Sequence, residues 1–143
     1  MEIKTSSLKD IRLFYYLRNN KKYRRFFFNQ SNISFEKHKI WFRKQLSNSN
    51  IFMFTVIYKA KKVGYVRYKK FGNFYDVSIA IDSKFTKKGL GTFALKKSEK
   101  KIKKKNIIFL SKVRLNNIAS QKLFFKSGYK INFKLNKNIV FLK

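Results

Sequence analysis

A chain of 143 residues and 17.3 kDa is long enough to bury one core and too short for two, so residues 1–143 read as a single domain. Its 44% hydrophobic and 18% aromatic content lets it fold despite a formal net charge of +30. With no cysteine, one histidine, six scattered carboxylates, no apolar run near the ~18 residues of a membrane span and no signal peptide in Met-Glu-Ile-Lys, the expectation is a cytoplasmic protein without metal or membrane insertion.

A short strand at 2–4 is followed by residues 8–19, where Leu8, Ile11 and Tyr15 recur at helical spacing behind Ser6 and Ser7 as N-caps. Ser34 caps a second helix over 35–46, whose one face carries His38, Trp41, Phe42 and Gln45. Residues 51–58 are apolar on both alternating faces, as in a strand covered on both sides; 59–62 turn it into a strand over 63–71. Gly72-Asn73 leads to a third strand at 74–81, a helix at 89–104 and a strand at 106–113. The last helix, 117–127, stops at Gly128; extended segments at 129–135 and 139–142 close the chain around an Asn-Lys-Asn turn.

Two of these junctions carry chemistry. The strand ending at Ile81 runs through Asp82-Ser83-Lys84-Phe85 into Thr86-Lys87-Lys88-Gly89-Leu90-Gly91-Thr92 and then a helix. Glycines let backbone amides approach an anion, and a helix start offers N–H groups and partial positive charge, to which Lys87 and Lys88 add full charges. An ordinary glycine turn would look the same. The other junction is Asn117-Ile-Ala-Ser120-Gln-Lys-Leu123-Phe124-Phe-Lys126-Ser-Gly128-Tyr129, where Asn117 suits a helix N-cap as well as a ligand contact.

The two segments, about 25 residues apart, closely resemble the two signature regions of the GNAT acetyltransferases, and the element order is the GNAT order over essentially the whole chain. The resemblance implies an α/β (α+β) fold, a mixed, mostly antiparallel central sheet of about seven strands with four helices. It implies acetyl-CoA as acyl donor, the pantetheine arm on Ile79, Ala80 and Ile81 in a splay between two strands. The pyrophosphate would lie on amides of Lys87, Lys88, Gly89, Leu90, Gly91 and Thr92, with further contacts from Asn117 and Ser120. Three positions depart from the family: Thr86 stands where most members have Arg or Gln, Phe124 where many have a Tyr acid, and Lys112 where ribosomal-protein N-terminal acetyltransferases have a Glu base. The usual acid and base are absent from those positions.

Arg18, Asn19, Asn29, His38, Trp41, Arg67 and Tyr68 resemble the GNAT subgroup that acetylates nucleotide-linked amino sugars in pseudaminic-acid-type pathways. On that reading the partner is a small-molecule amine, the nucleotide sugar; arginines hold its diphosphate and His38 takes the amine proton, the alternatives being a peptide or protein N-terminal acetyltransferase and a non-catalytic nucleic-acid-binding module of the same fold. For Trp41 and Phe42 a core-facing helix stripe is the preferred account. Many Lys, Asn, Ile and Phe, with no Pro and 5 Gly, also match the residue usage of an AT-rich coding sequence, but that bias leaves the scarcity of Asp and Glu unaccounted for. The charge is spread along the chain rather than gathered in a tail, which favours attraction of anionic cofactor and substrate over a nucleic-acid surface. The chain is expected to be a monomer or homodimer.

Overall fold

The computed structural model describes residues 1–102 and 106–143. Seven strands form one sheet: β1 (Glu2–Thr5), β2 (Ile51–Tyr58), β3 (Lys61–Phe71), β4 (Phe74–Ile81), β5 (Ile108–Arg114), β6 (Lys130–Leu135) and β7 (Asn138–Leu142), in the spatial order β1-β2-β3-β4-β5-β7-β6. All neighbours are antiparallel except β4 and β5. Five helices are present among the described residues: α1 (Ile11–Asn19), α2 (Lys21–Arg24), α3 (Phe35–Ser47), α4 (Leu90–Ile102) and α5 (Ile118–Lys126). The mixed sheet matches the expected architecture. Positions 103 and 104 of the expected 89–104 helix lie outside the described residues.

Two helix starts differ from the sequence reading. The segment expected to be helical from residue 8 opens as a single 3-10 turn, Leu8–Asp10, because Ser7 and Asp10 form a capping box: Ser7 Oγ accepts from Lys9 N, and Ser7 N donates to Asp10 Oδ2 at 2.8 Å. Helix α2 was not expected, since Lys-Lys-Tyr-Arg has no apolar period; the Asn20 side chain nucleates it by accepting from Lys22 N at 3.0 Å. Ser34 caps α3 as expected, accepting from Lys37 N at 3.3 Å.

The sheet divides the core in two. Helices α1 and α3 cover one face of its N-terminal half over Phe14, Leu17, Phe42, Met53 and Tyr65, with Phe14 stacked on Tyr65 at 4.2 Å. Helices α4 and α5 lie on the opposite face over a larger cluster that includes Val66, Tyr68, Val77, Leu95 and Phe124. Each large side chain buried this way contributes about 1.5–3 kcal/mol of transfer free energy. The run of apolar residues in β2 feeds both clusters, with Met53 in one and Phe54 and Val56 in the other, as its two-sided pattern predicts.

Candidate active site

The parallel pair β4–β5 is hydrogen-bonded over only three residue pairs, Phe74↔Ile108, Tyr75↔Phe109 and Asp76↔Leu110. Beyond Asp76, β4 stays with β3 as far as Ile81↔Gly64, while β5 follows β7 as far as Arg114↔Asn138. The two strands therefore diverge, and a wedge opens toward their C-terminal ends. Near its root the Ser111 hydroxyl donates to the Val77 carbonyl at 3.2 Å.

Strand alternation decides which β4 amides face this wedge. Asp82 N donates to Val63 O at 2.8 Å, so even-numbered backbone groups point to β3, and Val77 O, on the wedge side, sets the odd ones toward β5. Ile79 and Ile81 thus present their N–H and C=O groups to the opening, as a ligand adding itself like a strand requires. Ala80, expected to join them, directs its backbone toward β3: a Cβ on Gly64 would lie 2.5 Å from the Ala80 oxygen.

Past Ile81 the chain makes a 3-10 turn, Ser83–Phe85, capped by the Asp82 carboxylate, and then enters α4. Four successive N–H groups, Gly89 through Thr92, find no acceptor among the described residues. Lys87 and Gly89 take left-handed φ values of 61° and 74°, which curl the amides into a nest at a helix start, while buried Leu90 pins the turn. Gly89 faces open space, with no atom within 4 Å of an added Cβ. Gly91 is different. Its absent Cβ makes room for Leu123 of α5, so it serves helix packing rather than ligand approach. A nest of amides beside Lys87 and Lys88, leading to a strand edge with unpaired amide groups, fits a ligand that joins a diphosphate to an amide-containing arm, which is the chemistry of CoA. Asn117 caps α5, its side chain accepting from Ser120 N at 3.1 Å, and so holds Ser120 in the first turn of that helix.

The other approach to the wedge is from the sheet face that carries α1 and α3. Arg67 is held by Gln45, to whose Oε1 its Nε donates at 3.0 Å, and it lies 5.7 Å from the Trp41 ring centre. These two predicted residues meet. Arg18 instead donates to the carbonyls of Asn29 and Ser31, at 2.7 and 3.3 Å, so its guanidinium braces the α2–α3 connection. Asn19 staples both backbone groups of Ile33, and Asn29 accepts from Ser31 N and Oγ. These three build the wall of a site rather than offering their polar groups to it.

Two expectations are corrected by burial. Tyr68 is fully buried on the α4 side of the sheet, sharing a 2.6 Å hydrogen bond with Ser98, and cannot offer its ring to a substrate. His38 is 2% exposed and sits among the rings of Tyr15, Trp41 and Phe42. Burial holds its imidazole below the ordinary histidine value, with the Arg18 charge adding to the effect and the Ile11 backbone opposing it. An amine in the wedge has no open path to it.

A strap links the ends of the two strands. The Tyr23 hydroxyl donates to Asp82 Oδ1 at 3.2 Å and accepts from Ser83 N at the end of β4. From the end of β5, Arg114 Nη2 donates to Phe27 O at 3.1 Å and stacks over Phe28. Residues 23–28 therefore bridge both strand ends. At the root lies Asp76, half-buried on the same face as Arg67, with Lys69 as its cross-strand neighbour and the charge of Lys112 felt from β5. Sequence reasoning passed Asp76 over as one of a few dispersed acids; its even position on β4, opposite in facing to core residues Tyr75 and Val77, was the available signal.

The acetyltransferase (GNAT) family model matches residues 16–129. The comparison with curated proteins finds no match for this chain. Among solved structures the chain resembles a ribosomal-protein-alanine N-acetyltransferase from Brucella melitensis (13% identity, 100% of this chain and 99% of that one, TM-score 0.83). It is also similar to the PaiA N-acetyltransferase from Thermoplasma acidophilum in complex with coenzyme A (20%, 99% and 97%, 0.75). A third is a spermidine N-acetyltransferase from Vibrio cholerae in complex with CoA and spermine (17%, 99% and 92%, 0.78). With its amide nest, its wedge and a family match over most of its length, the chain belongs to the GNAT acetyltransferase family and is an N-acetyltransferase that uses acetyl-CoA as acyl donor.

Proposed function

We propose that the acceptor is an amine carried by an anionic small molecule, the amino group of a nucleotide-linked sugar. One observation carries the reading: the open sheet face at the root of the wedge sets Arg67, Lys69 and Lys112 around a single carboxylate. A polycationic acceptor such as a polyamine meets repulsion there, whereas a diphosphate gains both this local charge and the field of a +30 chain. The contacts proposed for the diphosphate are Lys69, Lys112 and Arg67, since Arg18 is engaged with the α2–α3 connection. Trp41, 40% exposed beside Arg67, offers a face to the sugar or base.

The test is thiol release from acetyl-CoA with three acceptors: UDP-glucosamine, spermidine and a peptide with an N-terminal alanine. The expected order puts UDP-glucosamine first in kcat/KM, by at least tenfold, with the lead shrinking as salt rises. Preference for the peptide or for spermidine would overturn the acceptor assignment and leave the acetyltransferase assignment standing.

A further inference from the structure

Cations that are spread along the chain are gathered by the fold. Helices α1 and α3 pack on β3 and β2, and on the same face of β5, β7 and β6 no residue belongs to either core cluster. Cross-strand partners share a face, so two rows cross these three strands: Lys112 with Val140 and Phe133, and Arg114 with Asn138 and Leu135. Lys130, the partner of Leu142, belongs to the row beside them.

A bulge in β6 makes this arrangement. Ile131 pairs with Phe141, which faces α5, and in an unshifted strand Phe133 would follow it to that side. The register shift between Ile131 and Phe133 instead turns Phe133 and Leu135 onto the open face, where they are 49% and 57% exposed. At the Arg114 end stands Phe28 of the strap, 60% exposed, with the guanidinium over its ring at 5.6 Å. Across β5, β7 and β6 the face carries Lys112, Arg114 and Lys130 and no carboxylate. The acid next in register is Asp76, partner of Leu110 on β4, already under the charges of Lys112, Arg67 and Lys69.

Large apolar side chains turned into the open by a bulge call for a cover, and charge selects it. A second copy would set these cations against themselves, in a chain with 36 basic residues and 6 acidic ones. A nucleic-acid duplex offers phosphates but hides the faces of its bases. A single strand offers both, phosphates to Lys112, Arg114 and Lys130 and bases to stack on Phe133 and Phe28. We propose that this face binds single-stranded RNA, RNA being the nucleic acid that ordinarily presents unpaired bases. The outer edge of β6, the last strand of the sheet, leaves backbone groups for the edges of those bases. The surface shares Lys112 with the acceptor contacts and depends on neither the sugar nor acetyl transfer.

The test is fluorescence anisotropy of the full chain with an oligouridylate of about 20 nucleotides, the matching oligodeoxythymidylate and an RNA duplex of equal length, in about 150 mM salt. The oligouridylate should bind about tenfold or more tightly than the duplex. Phe133→Ala should weaken it about 5- to 100-fold, while Phe133→Tyr, which keeps a stacking face, stays within about threefold of the parent. Lys130→Gln should lower the slope of log affinity against log salt by about 0.7, and Lys96→Gln, on the exposed side of α4 across the sheet, should leave it unchanged. Acetyl-CoA affinity and melting temperature should stay close to the parent's in all four variants. Equal losses in Lys130→Gln and Lys96→Gln with none in Phe133→Ala would mean that overall charge alone attracts RNA, and would overturn the proposal. So would tighter binding to the duplex, a deoxy strand preferred by about tenfold, a dimer in sedimentation that Phe133→Ala dissolves, or no binding to the oligouridylate.

Discussion

A Cβ placed on Gly91 would lie 2.8 Å from Leu123 Cδ1, so the second glycine of the nest is where α4 and α5 touch. Its neighbour Gly89 has the opposite setting, a left-handed φ of 74° with nothing close by. The two glycines should therefore fail differently. Gly91→Val is expected to cost about 1–3 kcal/mol through overpacking, read by urea denaturation, and Leu123→Ala in the same chain should restore part of it. Gly89→Val is expected to lower acetyl-CoA affinity at least tenfold by calorimetry, beyond a strain cost of about 1–2 kcal/mol. Equal affinities in parent and Gly89→Val would remove the nest from the cofactor site.

His38 links stability to pH. Its folded pKa is lowered from 6.5 by burial, so below that value the unfolded chain binds the proton more readily than the folded one. Stability is thus full above pH 6.5 and is lost as the pH falls through the folded value. His38→Phe keeps a ring among Tyr15, Trp41 and Phe42 and removes the proton. Its melting temperature should be flatter than the parent's between pH 5 and 7, about two units of titration range. Turnover within about threefold of the parent would confirm that no catalytic proton passes through this ring.

Phe124 occupies the position of the family's acid but points into the core, 4.9 Å from the Tyr129 ring centre and 5.9 Å from that of Phe141. A hydroxyl added there meets aromatic rings. Phe124→Tyr should lose about 1–3 kcal/mol of stability for an unpartnered hydroxyl and leave turnover within tenfold of the parent. A thousandfold gain in kcat would show that the ring reaches the leaving thiolate after all.

Glu99, on the buried face of α4, is satisfied from two sides, by the Tyr129 hydroxyl at 2.8 Å and the Lys143 ammonium at 2.7 Å, which also donates to Ser127 O. This ties α4 to the C-terminal end of α5. Lys143→Met leaves the carboxylate with one donor and should destabilise by about 1–2 kcal/mol, the partial exposure of the lysine holding the cost below that of a fully buried pair. Glu99→Gln in the Lys143→Met chain should recover part of the loss, since an amide is cheaper to bury than an unpaired charge. Chemical denaturation of the two variants reads both effects.

Local chemistry that depends on neighbours in the chain was legible before any coordinates. The two-sided apolar run of β2, the Ser34 cap, and the glycine turn feeding α4 all follow from periodicity and capping, and the spacing of the two signature segments carried the fold and the donor. The site itself was less legible, because a side chain's role depends on which face it occupies and what reaches it. Tyr68 and Arg67 are adjacent in sequence yet lie on opposite faces of β3, one sealed under α4 and the other beside Trp41. His38 looked available on a helix stripe until α1 brought Tyr15 over it, and Arg18 until the α2–α3 connection folded its carbonyls onto the guanidinium. Asp76 was hidden for the converse reason: nothing in its neighbourhood of sequence marks it. Only the parting of β4 from β5, set by long-range strand pairing, puts that carboxylate at the root of the wedge.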